Sequence, residues 1–275
     1  MDIAAPSREA RSHGQKLGRS RGFCWFARSG IAARGVVYVV IGVLAVKLAL
    51  GDGGKATDQQ GALSTIAHQS FGTVLLALVA VGLLGYAAWR LLRAALGGTQ
   101  GHDDLKDRVD GAVSGVSYAI LFLAAMRILL GSGGGGGGSN PDSAASGVLG
   151  WPGGPWIVGL VGAIVIGVGL QQGYKGVTRS FMDNADTGRM DDRVESAYSA
   201  FGIAGHLARM AVFCLIGWFL IKAAIDYNPD EAVALDGALA KLANAPSGPI
   251  LLGLVAAGLI CFGAFSLVES RYRRV

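Results

Sequence analysis

The 275-residue sequence repeats one hydrophobic pattern three times, and each copy is a pair of apolar stretches of membrane-crossing length. The first copy occupies residues 33–50 and 72–96, and the third occupies 208–225 and 248–274. A bilayer core of about 30 Å needs roughly 20 apolar residues in a helix, and backbone groups in hydrocarbon must be hydrogen-bonded within their segment. We therefore predict an all-α integral membrane protein with six transmembrane helices. Charged residues make up only 16% of the chain, which excludes an ordinary soluble domain.

The three copies align residue by residue. At a constant offset of 175, Gly205 falls on Gly30 and Arg209 falls on Arg34. The middle copy is more divergent, because at its offset of 80 the position of Arg34 is taken by Ser114. An even number of helices in each copy returns the chain to the same side of the membrane. The copies are therefore predicted to be three parallel two-helix repeats, related by a pseudo-threefold axis along the membrane normal.

The repeats divide the chain into a basic arm and three helical hairpins. We predict a disordered arm over residues 1–26, repeat 1 over 27–98, repeat 2 over 110–183 and repeat 3 over 201–275. The middle repeat carries a glycine-rich loop at 131–147, whose run of consecutive glycines is typical of a flexible linker.

Basic residues are distributed unevenly between the two predicted sides of the membrane. All but five of the 24 Lys and Arg residues lie at the termini or in the connections on the same side as the termini. Cytoplasmic segments of membrane proteins carry such an excess of positive charge. We therefore predict a multi-pass protein of the bacterial plasma membrane with both termini in the cytoplasm. The net charge of +5 is explained by this topology, so nucleic acid is not an expected partner.

The connections on the opposite, outer side contain a second repeated element. Residues 58–70 in repeat 1 and 229–244 in repeat 3 place apolar side chains at helical spacing. Each is predicted to form a short amphipathic helix that lies on the outer surface or covers the bundle.

These segments together resemble a known bacterial family. The run ARSGIAARGVVYVVIGVLAVK, the later GAL, and FGTVLLALVAVGLLGYAAWRLLRA recur in part as GPILLGLVAAGLICFGAFSLVESRYRR. This pattern is similar to the membrane family called domain of unknown function 1206, which is found mostly in actinobacteria as three tandem two-helix repeats. The resemblance covers the chain from about residue 27 onwards and is weakest in the middle copy. It implies the fold, and it implies no reaction and no functional residues.

Residues that could carry out catalysis are sparse. The four histidines occupy separate segments without metal-ligand spacing, and His206 is expected to be an interfacial side chain. The three cysteines lie on the arm and within helices, where free thiols are expected. The sequence therefore predicts no enzymatic activity, no metal site and no cofactor.

Three basic residues share one position in the repeats. Lys47, Arg127 and Lys222 each lie about 20 Å along a transmembrane helix, towards its outer end. One interpretation is that all three side chains extend to the outer headgroups. The alternative is that pseudosymmetry gathers them into a basic vestibule for an anion or a lipid headgroup, because charges at such depth usually face a cavity or a partner.

A second basic pair, Arg34 and Arg209, lies near the cytoplasmic entry of the first helix of repeats 1 and 3. We interpret these residues as charges that orient the helices at the inner interface. In the last helix, Glu269 could pair with Arg271 at the same boundary, or both could act as interfacial anchors.

Two functions from different classes fit this sequence. The first is transport or channel activity for a small anionic solute or a lipid headgroup, because internally duplicated membrane bundles are often transporters. The second is a structural or interaction module that contacts lipids, a second copy of the chain or another membrane protein. The scarcity of acidic residues in the helices weakens the first, since ion-coupled carriers usually place such groups near the midplane.

Overall fold

The computed structural model describes residues 21–51, 56–69, 72–96, 105–130, 148–149, 151, 153–228 and 231–273. Within these residues the chain is helical and contains no strand. The helices are α1 (Arg21–Ala49), α2 (Gln59–Ala67), α3 (Gly72–Leu96), α4 (Leu105–Leu129), α5 (Gly154–Thr178), α6 (Asp192–Ile225), α7 (Leu235–Ala243) and α8 (Gly248–Tyr272). Six of them, α1, α3, α4, α5, α6 and α8, are long and apolar enough to cross a membrane, which confirms the predicted fold class.

The short helices α2 and α7 are the predicted outer elements of repeats 1 and 3. Asp58 begins α2 as an N-cap, because its carboxylate accepts a hydrogen bond from the Gly61 N–H at 2.8 Å. Leu63 of α2 and Leu239 of α7 are fully buried, so both helices cover the bundle with their apolar faces. We call this end of the bundle the α2–α7 side and the opposite end the terminus side. Of the predicted disordered arm over residues 1–26, residues 1–20 lie outside the described residues, whereas residues 21–26 are the first residues of α1. The glycine-rich loop also lies outside the described residues.

The transmembrane helices follow one another in chain order around a ring. Helix α1 packs on α3 and α6 packs on α8, within repeats 1 and 3. Between repeats, α3 packs on α4, α5 on α6, and α8 on α1. The described parts of α4 and α5, the two helices of repeat 2, do not pack along each other. The ring is therefore open at one place, between α4 and α5, and we call this place the lateral opening.

Contacts between repeats depend on small residues that occupy equivalent positions at successive interfaces. A Cβ atom added at Gly42 of α1 would lie 2.9 Å from the Ala256 carbonyl oxygen of α8. At the next interface, a Cβ atom at Gly217 of α6 would lie 2.6 Å from the Gly162 carbonyl oxygen of α5. Because these distances are shorter than a side chain tolerates, the backbones touch directly. In lipid, such close packing supplies much of the association energy between helices.

Contacts within repeats explain why only repeat 2 is open. In repeat 1, a Cβ atom at Gly30 would lie 2.6 Å from the Gly82 carbonyl oxygen, so the crossing of α1 and α3 requires glycine. Repeat 3 has the same crossing, at Gly205 and Gly258. The equivalent residues of repeat 2 are an aspartate and an isoleucine: Asp110 and Ile164. A residue as large as isoleucine cannot be accommodated at such a backbone contact, which accounts for the missing crossing between the described parts of α4 and α5.

Candidate functional site

Arg34 is buried inside the bundle. It lies on α1, about 22 Å from the α2–α7 end of that helix at 1.5 Å per residue. Only 9% of its surface is exposed. A charge at this depth is costly in hydrocarbon unless it is paired or faces a cavity.

A carboxylate from another repeat neutralises Arg34. Its Nη2 atom donates to Glu269 Oε2 of α8 at 2.7 Å and to Ser266 Oγ at 3.2 Å. Its Nη1 atom lies 3.5 Å from the hydroxyl of Tyr86 on α3. Glu269 is 4% exposed and also pairs with Arg273, one turn further along α8. The interface between repeats 3 and 1 therefore holds a buried ion-pair network.

This network corrects the interpretations that the sequence suggested. Arg34 does not act as an interfacial charge, because it is buried and paired across repeats. Glu269 pairs with Arg34 and Arg273, whereas the guanidinium of Arg271 lies over the Tyr272 ring. His206 is also not interfacial. It is 6% exposed and stacks on Phe181 with ring centroids 5.1 Å apart.

Arg209 occupies the equivalent position in repeat 3 but has different partners. Its guanidinium lies 4.5 Å from the ring centroid of Phe262, 5.3 Å from that of Phe213 and 5.6 Å from that of Tyr38. With its amide oxygen turned towards this group, Gln172 of α5 accepts hydrogen bonds from both terminal nitrogens at 3.1 and 3.3 Å. The Nε atom of Arg209 is buried without a hydrogen-bond partner. No carboxylate among the described residues forms an ion pair with it.

The two arginines therefore use equivalent contacts in their interfaces. Each cation lies over an aromatic ring of its own repeat, Tyr86 for Arg34 and Phe262 for Arg209. Each also donates to one polar residue of the preceding repeat. Those acceptors, Ser266 of α8 and Gln172 of α5, are equivalent in the repeats. Their helices begin at equivalent glycines, and each acceptor lies the same number of residues after that glycine.

The third interface lies between α3 and α4. There the arginine is on the second helix of one repeat and the small polar residue is on the first helix of the next, the reverse of the other two interfaces. Ser114 of α4 replaces the arginine of the first helix, and Arg90 of α3 replaces the polar acceptor of the second helix. The helices meet at this level, since a Cβ atom at Gly111 would lie 3.2 Å from the Arg90 carbonyl oxygen. Arg90 Nε donates to the Tyr86 hydroxyl at 3.0 Å. All three interfaces between repeats thus carry one arginine at this level.

A small cavity adjoins Arg209. Its volume is about 30 Å³, which is enough for one or two water molecules. Tyr38, Val212, Phe213 and Leu259 are among its lining residues, so its walls are mainly apolar. Arg209 is the only charged residue in that lining.

The outer basic residues do not line this cavity. Lys47 and Arg127 are exposed on α1 and α4. Lys222 Nζ lies 3.0 Å from Glu231 Oε1 and 3.9 Å from Asp226. The vestibule that the sequence suggested for these three residues stays a prediction. Within the described part of the chain, no group of three His, Cys, Asp or Glu side chains is placed to hold a metal ion.

Comparison with known proteins identifies the family. The profile described as Domain of Unknown Function (DUF1206) matches residues 29–97, 110–179 and 204–273. The chain belongs to this family. The three matches confirm the three tandem repeats inferred from the sequence. DUF1206 membership carries no assigned reaction.

A relative and a structural search add to this result. YxxB, an uncharacterized protein of Bacillus subtilis (strain 168), is 37% identical to this DUF1206 chain over 254 residues. The alignment covers 91% of each protein. No solved structure matches the chain.

Proposed function

We propose that this DUF1206 protein binds an anionic membrane lipid that enters the bundle through the lateral opening between α4 and α5. The observation that carries the proposal is the uneven closure of the ring. Repeats 1 and 3 cross at glycines, whereas repeat 2 has Asp110 and Ile164 at those positions. A ring with one open side gives the interior access to the bilayer rather than to water.

The packing inside the bundle fits entry of a lipid from the side better than conduction of ions along the bundle axis. The Tyr38 and Phe262 rings meet edge to face with centroids 4.8 Å apart, and Tyr118 meets Tyr86 at 4.5 Å. Aromatic side chains thus fill the centre of the bundle. The cavity beside Arg209, at about 30 Å³, is far smaller than a conducting path. On this proposal, a lipid enters from the side through the lateral opening and does not pass along the axis.

The flanks of the lateral opening are suited to acyl chains. Val113 of α4 and Ile164 of α5 are 61% and 56% exposed, whereas Ala33 and Ala208, at the position of Val113 in the closed repeats, are buried. Large exposed apolar side chains in a membrane protein mark surfaces in contact with lipid. Movement of a lipid headgroup through this opening is the transport activity that best fits the arrangement.

Reconstitution distinguishes the alternatives. The purified protein is placed in vesicles that contain a fluorescent acidic phospholipid, and lipid retention, lipid exchange between leaflets and chloride or phosphate flux are measured together. We expect retained acidic lipid and no flux above that of protein-free vesicles. Rapid anion flux without lipid retention would instead indicate a channel.

A second candidate function is a structural or interaction module without transport. The buried network of Arg34, Glu269 and Arg273 favours it, because paired charges of this kind fix the arrangement of helices rather than bind a ligand. Absence of lipid retention, lipid exchange and ion flux in the same vesicles would support this alternative and reject the lipid-binding function.

A further inference from the structure

Arg209 and Arg34 are equivalent in the repeats but differ in charge compensation. Arg34 donates to the Glu269 carboxylate at 2.7 Å, so its charge is neutralised within the protein. Arg209 has aromatic rings and the neutral amide of Gln172 around it, and no carboxylate among the described residues forms an ion pair with it. The Nε atoms of both arginines are buried without a hydrogen-bond partner, so the difference lies in the counter-ion. Cation–π contacts hold a guanidinium in place without cancelling its charge. The interface between repeats 2 and 3 therefore contains an arginine whose counter-ion is absent from the described residues.

The alignment of the repeats identifies where that counter-ion belongs. Glu269 lies three residues after Ser266 on α8, on the same face of the helix. The residue three after Gln172 on α5 is Lys175. The repeat position that holds the carboxylate of Glu269 in the interface of Arg34 therefore holds a second cation, Lys175, in the interface of Arg209. An anion supplied from outside the protein would restore the arrangement seen at Arg34.

The depth of the site matches a lipid headgroup. Gln172 lies six residues before the end of α5 at Thr178, about 9 Å from the terminus side. Helix α5 is about 37 Å long, so it extends a few ångströms beyond a 30 Å hydrocarbon core at each end. Arg209 therefore lies just below the headgroup layer on the terminus side. Arginine binds phosphate oxygens in a bidentate manner at such sites.

We infer that Arg209 binds the phosphate of an acidic phospholipid from the leaflet on the terminus side. A phosphate oxygen takes the place that Glu269 occupies beside Arg34, and Gln172 holds the guanidinium towards it. The acyl chains lie in the lateral opening, beside α5. This inference rests on the proposed function, because it assigns the residue that recognises the lipid.

The decisive variant adds the missing carboxylate. Lys175→Glu places an acid at the position equivalent to Glu269, where it pairs with Arg209 and displaces the lipid phosphate. This variant exchanges the interaction that Lys175 makes for an ion pair with Arg209, and its melting temperature shows whether it folds. Lys175→Gln is its matched control, because it removes the same cation without adding an anion. Arg209→Gln removes the recognising group directly.

Binding is measured by native mass spectrometry and by competition in nanodiscs that contain phosphatidylglycerol and phosphatidylcholine. We expect Lys175→Glu and Arg209→Gln to lower the preference for phosphatidylglycerol about tenfold or more, the size of a lost charge-assisted hydrogen bond. Lys175→Gln is expected to lower it less than about threefold, as an ordinary screened charge does.

Each other outcome has a definite meaning. If the wild-type protein selects phosphatidylglycerol and Lys175→Glu retains that selection, the site at Arg209 is wrong while the lipid-binding function stands. If the wild-type protein retains no acidic lipid, the proposed function fails and this inference fails with it. If inorganic phosphate alone displaces the lipid and binds with equal affinity, the ligand is a free anion and the assignment to a lipid is overturned.

Discussion

At the residue scale, one carboxylate holds several elements of the bundle together. Glu269 joins α8 to α1 through Arg34, and to its own last turn through Arg273. Ser266 and Tyr86 accept further hydrogen bonds from the terminal nitrogens of Arg34, whose Nε atom is buried without a partner. A buried ion-pair network of this kind favours one arrangement of helices, whereas removal of its carboxylate leaves uncompensated charge in a dry environment.

Removal of the Glu269 carboxylate should therefore strongly lower the stability of the fold. We expect Glu269→Gln to destabilise the protein by about 3–5 kcal/mol, because it leaves Arg34 and Arg273 buried without an anion. Thermal unfolding in detergent measures the change. Glu195→Gln is the control, since Glu195 forms no ion pair among the described residues. Equal melting temperatures for the two variants would show that the network does not stabilise the fold.

At the element scale, glycine contacts set the distance between helices. Gly217 of α6 meets α5, where a Cβ atom would lie 2.6 Å from the Gly162 carbonyl oxygen. Gly253 of α8 has no atom within 4 Å of such a Cβ. These two glycines therefore provide a matched comparison between a packed and an open position.

Substitution at the packed position should separate the helices. We expect Gly217→Leu to cost about 1–3 kcal/mol or more through overpacking, whereas Gly253→Leu stays close to the wild type because its side chain points into open space. Thermal stability and monodispersity of the two variants in detergent provide the measurement. A Gly217→Leu variant as stable as Gly253→Leu would contradict the backbone contact.

Helix α7 is tethered by Glu231. This carboxylate pairs with Lys241 of α7 and with Lys222 of α6. Hydrogen bonds from Lys241 and Lys222 lower the pKa of Glu231 below its ordinary value of 4.5. Because the pKa is lowered in the folded state, the tether is intact at neutral pH and is lost as pH falls through that lowered value.

A pH titration tests this tether. We expect amide hydrogen exchange in α7 to accelerate below about pH 4.5 in the wild type, after correction for the intrinsic effect of pH on exchange. Glu231→Gln should show the faster exchange at every pH and lose the transition. A transition that persists in Glu231→Gln would assign the effect to another group.

At the scale of the whole molecule, the sequence predicted the architecture because the architecture is periodic. Apolar length and repetition indicated the six transmembrane helices, and the outer helices α2 and α7 followed from helical spacing. Both signals are local or recur at a constant offset, so they need no knowledge of packing.

The site was less accessible to sequence reasoning. The pair of Arg34 and Glu269 joins residues 235 positions apart, and its formation depends on which repeats are neighbours in the ring. The sequence alone suggests Arg271, two residues further along the chain, as a partner of Glu269, or interfacial anchoring of both residues. One signal was present: Gly30 and Gly82 have no counterpart in repeat 2, where Asp110 and Ile164 stand. The sequence does not show that Gly30 and Gly82 lie in contact, so only the structure allows this difference to be interpreted as an opening.

The central claim is that the ring is closed within repeats 1 and 3 and open within repeat 2. Cysteine cross-linking in native membranes tests it with three equivalent pairs, in a chain whose three native cysteines are replaced by alanine. A disulfide requires Cβ atoms about 3.5–4.5 Å apart. A Cβ atom at Gly82 would lie 3.0 Å from that of Ala33, and Gly258 contacts Ala208 in the same way. The equivalent residues of repeat 2 are Val113 and Ile164.

On mild oxidation, we expect disulfides in Ala33→Cys/Gly82→Cys and in Ala208→Cys/Gly258→Cys, while Val113→Cys/Ile164→Cys stays reduced. A disulfide that forms in the repeat 2 pair as readily as in the other two would show that the ring is closed, and the lateral opening would not exist.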